Sequence, residues 1–482
     1  MHFLIITRFT GLLILFLGIS MAAPLIVSLI YDDGSAYSLG LSMIITSGVG
    51  IVLYLSTRHH KEVHLNHRDG VTVVTLGWIM SGLVGTLPFL FSGSIPDFTD
   101  AYFESMSGFT TTGSSVLADI EGLPEGILFW RSQTQWLGGM GIIVLSIAIL
   151  PFLGVGGMQL YKAEIPGPLV DKLKPRISET AKTLWKVYVL ITLVEVILLF
   201  AGGMSLFDAV CHAFCSMPTG GFSTKNASIA YFGTPYLQIV LIVFMMLAGI
   251  NFSLHYRMIK GNVSSFYQNS ECRTFLILTG IFALSIAFDI HGALYHSFFD
   301  ALMHATFQVS SIITTTGFVT ADYAKWPPLS QAILLVCMFL GAMAGSTGGG
   351  IKIMRVMLLF RQSYKEVFRI IHPHAVTVIK LEGRPVSAEI LSSIWGFFTL
   401  YMILFVIGTF IMSFMGLDIF SAFASVAASI GNIGPGFGTV GPVHNYSAVP
   451  LAGKWVLVLC MLLGRLEIYT VIVLFLPEFW RK

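Results

Sequence analysis

The chain has 482 residues, enough for several soluble domains, yet 55% of them are hydrophobic and only 11% are charged. Ordinary soluble proteins carry roughly a quarter charged residues, so a set of soluble domains is excluded. The formal net charge of +2 says little by itself; where the charges sit says more.

Apolar runs recur along the chain: Gly11–Ile30, Leu193–Gly202, Leu237–Gly249 and Trp455–Leu463. With their mildly polar neighbours they reach the roughly 20 residues that span a bilayer, so the fold class is an all-α polytopic membrane protein. The first run follows Arg8 and resembles a signal peptide, but it is long and no clean small-residue cleavage site ends it. It reads as a first membrane helix. Basic clusters follow at Arg58–Arg68, Lys162–Lys186, Arg257–Arg273 and Lys352–Arg384. Between them lie Asp32, Asp33, Asp97, Asp119, Glu121 and Glu125. The positive-inside rule turns the basic loops, and with them both termini, toward the cytoplasm. His59, His60, His64 and His67 read as part of a solvated loop rather than a metal site. The five cysteines fall mostly in apolar stretches, and Cys211 and Cys215 lack further ligands for zinc. They read as small buried hydrophobes.

From Gly70 onward one pattern repeats four times: an apolar helix, an acidic residue, a short amphipathic stretch, a Gly-rich string and a second apolar helix. The short stretches are TDAYFESMSGFTTTGSS from Thr99, FDAVCHAFCSMPTGGFST from Phe207, FDALMHATFQVSSIITTTGFVT from Phe299 and LDIFSAFASVAASIGNIGPGFGTVGP from Leu417. Each carries an Asp near its start (Asp100, Asp208, Asp300, Asp418), expected as the helix N-cap. The third and fourth look about one helical turn longer than the first two. None is long enough to span a bilayer. Irregular backbone survives at membrane depth only inside protein or along a water-filled cavity. Four such segments therefore point to one shared axis. Their helix C-terminal ends aim partial negative charge at it, which favours a cation. Gly permits the dihedrals that turn carbonyls inward, and rings of carbonyls replace the hydration shell of potassium in channel filters.

Two features lie beyond the strings. GAMAGSTGGG (Gly341–Gly350) interrupts the third returning helix. As a nucleotide P-loop it fails, because Ile353 follows Lys352 where Ser or Thr is required. Glycines that break a helix at membrane depth suit a cavity lining. Arg465 and Glu467 sit in the last spanning helix; intramembrane charges are expensive and face the interior. Glu195, in another apolar run, reads as a packing or interface contact. Gln133, Trp136 and Arg131 suit the outer membrane interface. No nucleophile–base pair or carboxylate pair appears, so the chain is not expected to be an enzyme.

The strings TTTGSS, MPTGGFST, TTTGF and GNIGPGFGTVGPVHNY, together with AGSTGGGIKIMR (Ala344–Arg355), resemble those of the TrkH-type potassium uptake proteins of bacteria, within the Trk/Ktr/HKT superfamily. The resemblance covers essentially the whole chain. It implies four M1–P–M2 units like the four subunits of a potassium channel, preceded by two extra helices at about Thr10–Ile30 and Leu39–Leu55. The expected division is 1–69 for the helix pair and its loop, then 70–158 (filter 110–115), 159–262 (filter 217–223), 263–372 (filter 314–318, intramembrane loop 341–350) and 373–482 (filter 431–438). The resemblance implies filter glycines at Gly113, Gly221, Gly317 and Gly434, with carbonyls from Thr111, Thr112, Thr219, Gly220, Thr315, Thr316, Asn432 and Ile433. In the plant relatives a serine at the first filter glycine goes with sodium preference; Gly113 here argues for potassium. The fourth string, with Asn432 and Pro435, departs most from TTTG. The resemblance further implies a gate made by Ala344, Gly345, Ser346, Thr347, Gly348, Gly349 and Gly350 with Arg465 projecting into the pore. It implies a homodimer in the bacterial inner membrane, with a TrkA-like cytoplasmic nucleotide-binding subunit docked on its basic face. Potassium is the transported ion, no cofactor is expected in the chain, and nucleic acid is not a partner. The alternative is a secondary carrier coupling potassium to sodium or protons. It needs a titrating residue near the midplane, and none is evident beside the strings.

Overall fold

The computed structural model describes residues 2–58, 66–148, 177–375 and 377–481. Among them, six helices are long and apolar enough to cross a membrane: Phe3–Tyr31, Ala36–Thr57, Arg68–Phe91, Thr180–Ala201, Ser270–Ile290 and Ala388–Phe414. Large side chains such as Ile19, Leu29, Ile44 and Val52 are exposed on them, as expected where the neighbour is lipid rather than water. The first two helices pack backbone against backbone. A Cβ on Gly18 would meet the Ser47 nitrogen at 2.7 Å, the close approach that small residues allow between membrane helices.

The remaining chain is four units of one design. Each has a leading helix, a short buried helix, an irregular string and a returning helix. The leading helices are the last four of the six spans. The short helices are Phe98–Phe109, Leu206–Ser216, Phe298–Ile313 and Ile419–Ile430. The returning helices are Glu125–Ala148, Pro235–Gly249, Pro328–Phe339 and Leu451–Arg465. A proline stands at or just before the start of each returning helix: Pro124, Pro235, Pro328 and Pro450. There its missing N–H costs nothing and its fixed φ helps.

Three expectations about these elements need correction. First, Asp100, Asp208 and Asp300 are not N-caps. The caps are Asp97, Ser205 and Ser297, whose side chains accept the amides of those three aspartates. The aspartates sit in the first turn, where negative charge meets the helix dipole. Asp418 alone is a true cap, accepting from Ser421 N. Second, that shift of three positions made the fourth short helix look long. It has 12 residues, like the first; only the third is a turn longer, at 16. Third, the break in the returning helices is not confined to the third unit. Pro235–Gly249 and Phe252–Ile259 meet at 105°, and Leu451–Arg465 and Ile468–Phe475 at 117°. Ile250 is extended and Asn251 caps the next helix, while Glu467 has φ 58. Neither bend carries the cluster of glycines that marks the third.

Candidate functional site

Each short helix ends in the same way. The residue after its last turn is left-handed: Thr111 at φ 51, Thr219 at 58, Thr315 at 61 and Asn432 at 54. The following amide bonds back to the helix at 2.8 Å in every unit: Thr112 to Ser107, Gly220 to Cys215, Thr316 to Ser311 and Ile433 to Ala428. The left-handed residue bonds three back, Thr111 to Gly108 at 2.9 Å and its equivalents at 2.9, 3.0 and 3.2 Å. These are the two bonds of a Schellman helix ending, whose left-handed position ordinarily belongs to glycine. A β-branched Thr there costs about 1–2 kcal/mol. Asn tolerates the conformation better, so the fourth string keeps the common geometry with its odd sequence.

Two residues further on, each chain turns left-handed again at glycine: Gly113, Gly221, Gly317 and Gly434, with φ from 75 to 99. The four glycines close a ring. A Cβ on Gly113 would overlap the carbonyl oxygen of Gly220. One on Gly221 would overlap that of Thr316, and one on Gly317 that of Ile433. One on Gly434 would meet that of Thr112 at 2.7 Å. The oxygens of Thr112, Gly220, Thr316 and Ile433 are equivalent, and each abuts the glycine of the neighbouring unit. The order is cyclic, and the fourth unit touches the first.

Buried side chains brace this ring. Gln135, from the first returning helix, donates to Gly220 O at 2.7 Å and accepts from Phe222 N at 3.1 Å. Tyr446 and Ser114 hydroxyls donate to Gly434 O at 2.8 and 3.1 Å. Asn432 Nδ2 donates to Thr112 Oγ1 and to Met461 O, both at 2.9 Å. Behind the first string, Arg131 pairs with Glu104 at 2.6 Å, and Glu104 accepts from Val116 N and the Ser115 hydroxyl. Arg131 also donates to Ser223 O in the second unit and lies 3.6 Å over the Phe222 ring. Lys454 of the fourth unit pairs with Asp100 of the first at 2.5 Å.

The segment 340–352 lies against the second, third and fourth units. The Thr347 hydroxyl sits between the carbonyls of Met217 and Ala248, at 3.0 and 3.2 Å. Gly349 N donates to the Thr315 hydroxyl at 2.7 Å, and a Cβ on Gly349 would run into Gly431 O. Arg465, 3% exposed, ends its helix and donates to Thr347 O at 2.7 Å and to Gly138 O at 3.4 Å. Gly138 in turn abuts Phe109 O, the end of the first short helix. Ala344, Gly345, Ser346, Gly348 and Gly350 complete the segment, with Gly345 and Gly350 left-handed. No helix forms between Phe339 and Ile353.

Several residues sit elsewhere than expected. Arg131, Gln133 and Trp136 are not interfacial anchors. Arg131 is 2% exposed in its ion pair, Gln133 donates to Ser20 O, and Trp136 stacks on Phe214. A polar residue in a returning helix has protein partners that no local pattern reveals. Glu467 leaves the last helix at its bend and pairs with Arg355 at 2.7 Å. Glu195, read as a packing or interface contact, is wholly buried within the protein, facing the Ser216 hydroxyl without a well-formed hydrogen bond. The five cysteines are buried and free. His59, His60, His64 and Lys162–Arg176 lie outside the described residues. Gln135, Glu104, Tyr446 and Glu271 were not singled out from sequence, since each acts on a backbone group outside its own element, 12 to 85 residues away along the chain.

Fold and ring define a multi-pass helical membrane protein of four like units whose strings meet in one ring. The family profile described as TrkH, cation transport protein, matches residues 41–482, and the chain belongs to that family. It is 44% identical to the Trk system potassium uptake protein TrkH of Salmonella typhimurium over 488 aligned positions, covering 100% of both chains. The TrkG protein of Escherichia coli is 36% identical, covering 100% of this chain and 99% of its own. The crystal structure of the potassium transporter TrkH from Vibrio parahaemolyticus matches with a TM-score of 0.91 at 39% identity, covering 100% of each chain. The relatives are named as transporters, not enzymes.

Proposed function

We propose that this protein takes up potassium across the bacterial inner membrane, through a selectivity filter made by the strings at Gly113, Gly221, Gly317 and Gly434. The observation that carries the reading is the cyclic contact of four equivalent carbonyls with four left-handed glycines. Such a ring replaces an ion's hydration shell, and four short helices end their dipoles on it. The relatives' names supply the ion. The segment Ala344–Gly350 is read as the gate, held by Arg465, whose positive charge stands beneath the ring. The basic segments face the cytoplasm and receive a TrkA-like nucleotide-binding subunit, with two copies of this chain forming a homodimer. The ring alone supports passive, channel-like permeation.

The test is rubidium uptake into liposomes holding the purified protein, with potassium, sodium and proton gradients set independently. The expected result is uptake that follows the potassium gradient and needs no other. Uptake driven uphill by sodium or protons would overturn it in favour of a coupled carrier. One observation favours that second reading for protons: the buried carboxyl of Glu195 lies beside Ser216, the last helical residue before the second string.

A further inference from the structure

The segment 340–352 is closed at its base by an acid that belongs to another element. Glu271 is the second residue of the helix Ser270–Ile290 and is 7% exposed. A single oxygen, Oε1, accepts two backbone amides: Ala344 N at 2.9 Å and Met354 N at 3.1 Å. The first amide lies where the chain enters the loop. The second lies in the opening turn of the helix Ile353–Ile371, one of the donors a helix leaves without an internal partner. The N-cap of that helix, Lys352, provides no side-chain cap bond; Glu271 does the capping from outside. The two strands of the neck also meet directly, through Gly341 N to Ile351 O at 2.5 Å and Ile353 N to Ala342 O at 3.3 Å. Glu271 is different in kind, because it ties both strands to a third element. Lys352 Nζ donates to Gly348 O at 2.5 Å, folding the loop back over the same neck.

The residue beside this acid connects to a small hairpin. Ser270 N donates to Glu382 Oε1 at 3.2 Å. Glu382 forms the turn of a small hairpin that pairs Lys380–Leu381 with Arg384–Pro385. Arg257, Arg384 and Arg273 act on its carboxylate. The hairpin lies within the basic stretch Lys352–Arg384.

We propose that Glu271 is the clasp of the intramembrane loop, a positioning residue whose carboxylate holds the two strands of the loop's neck to the helix Ser270–Ile290, so that the loop leaves the ring only when this bond opens. The effect on ion flux rests on the gate reading given above; the effect on the loop does not.

The experiment compares wild type with Glu271→Ala, Glu271→Gln and a deletion of Ala344–Gly350, each purified into lipid nanodiscs and into liposomes without any partner protein. Hydrogen–deuterium exchange of the peptides covering 341–354 reads the clasp, and rubidium uptake reads the gate. Removing the shared acceptor leaves two buried amides unpaired, which costs more than the bonds themselves contribute, so Glu271→Ala is expected to speed exchange there by about tenfold. The Gln carbonyl oxygen can accept the same two amides, so Glu271→Gln is expected to retain most of the protection. Faster exchange in Ala with rescue in Gln supports the clasp. Unchanged exchange in Ala, or equal loss in Ala and Gln, overturns it. If Ala loosens the loop while neither it nor the deletion raises uptake, the clasp stands and the gate reading falls. If Glu271→Ala does not fold, Glu271→Asp replaces it: a shorter carboxylate cannot reach both amides, and undiminished protection in that variant overturns the proposal.

Discussion

Threonine holds a glycine's place at Thr111, Thr219 and Thr315, each left-handed. Strain of this kind persists only where surrounding contacts over-determine it, and it collects at functional sites. Here the Schellman bonds and the neighbouring unit hold it. The glycines two residues on have no such freedom to vary. Gly113→Ser adds a Cβ that overlaps Gly220 O, at a residue whose φ of 84 already disfavours a side chain by about 1–2 kcal/mol. The expected outcome is a folded protein with a lower potassium-to-sodium permeability ratio, measured by reversal potential or paired flux. An unchanged ratio in this and in the corresponding Gly221, Gly317 and Gly434 variants would remove the filter assignment. The Glu104–Arg131 pair makes a second residue-scale case. Removing one partner of a buried pair leaves an uncompensated charge, which costs about 3–5 kcal/mol. Arg131→Met is therefore expected to lower thermal stability sharply in detergent, and Glu104→Gln together with Arg131→Met to recover part of it. Equal losses in the single and double variants would show that the charge itself is not what matters.

The four short helices, with their caps and strings, repeat one local solution, which is why they are legible as repeats. The returning helices differ more. Three of them break, but only the third does so through a run of glycines, and that run becomes a loop pinned by Arg465. The guanidinium offers five donors in a rigid fork, and two of its bonds reach carbonyls of two different units. Arg465→Ala, like deletion of Ala344–Gly350, is expected to raise rubidium uptake several-fold in the absence of any partner, with potassium still preferred because the ring is intact. Equal or lower uptake by both variants at matched protein density would make the segment packing rather than gate.

Across the whole molecule, the ring is closed by contacts between units rather than by any one of them. Arg131 bonds the first unit to the second, and Lys454 and Asn432 bond the fourth to the first. The proposed docking of a regulator on the basic stretch belongs to the same scale. Lys352, Arg355, Arg361, Lys365, Arg369, Lys380 and Arg384 fall within one stretch of the sequence, and several of them hold internal partners, as Arg355 does with Glu467. Reversing the charge of the exposed Arg369 together with Lys365 is expected to weaken capture of a cytoplasmic regulator, most at low salt where screening is weak. Binding that is indifferent to the reversal at every salt concentration would refute this. Loss of binding to anionic vesicles alone would assign the charges to lipid headgroups.

Hydropathy and the fourfold recurrence of a short amphipathic stretch before a Gly-rich string are local properties, so the sequence by itself determined the helices, their class and the positions of the four strings. Gly113, Gly221, Gly317 and Gly434 were picked out within the strings by the family resemblance, whereas the loop at 341–350 and Arg465 stand out in one dimension, as a glycine cluster and a charge inside apolar runs. The tertiary structure alone decided what each string touches. That Gly434 meets Thr112, that Gln135 holds Gly220, and that Glu271 reaches Ala344 and Met354 are contacts across 73 to more than 300 residues. It also decided which polar residues are braces rather than surface anchors, as with Arg131 and Gln133. Burial in a membrane protein is set by neighbouring helices, and a single helix carries no mark of which of its faces they will cover.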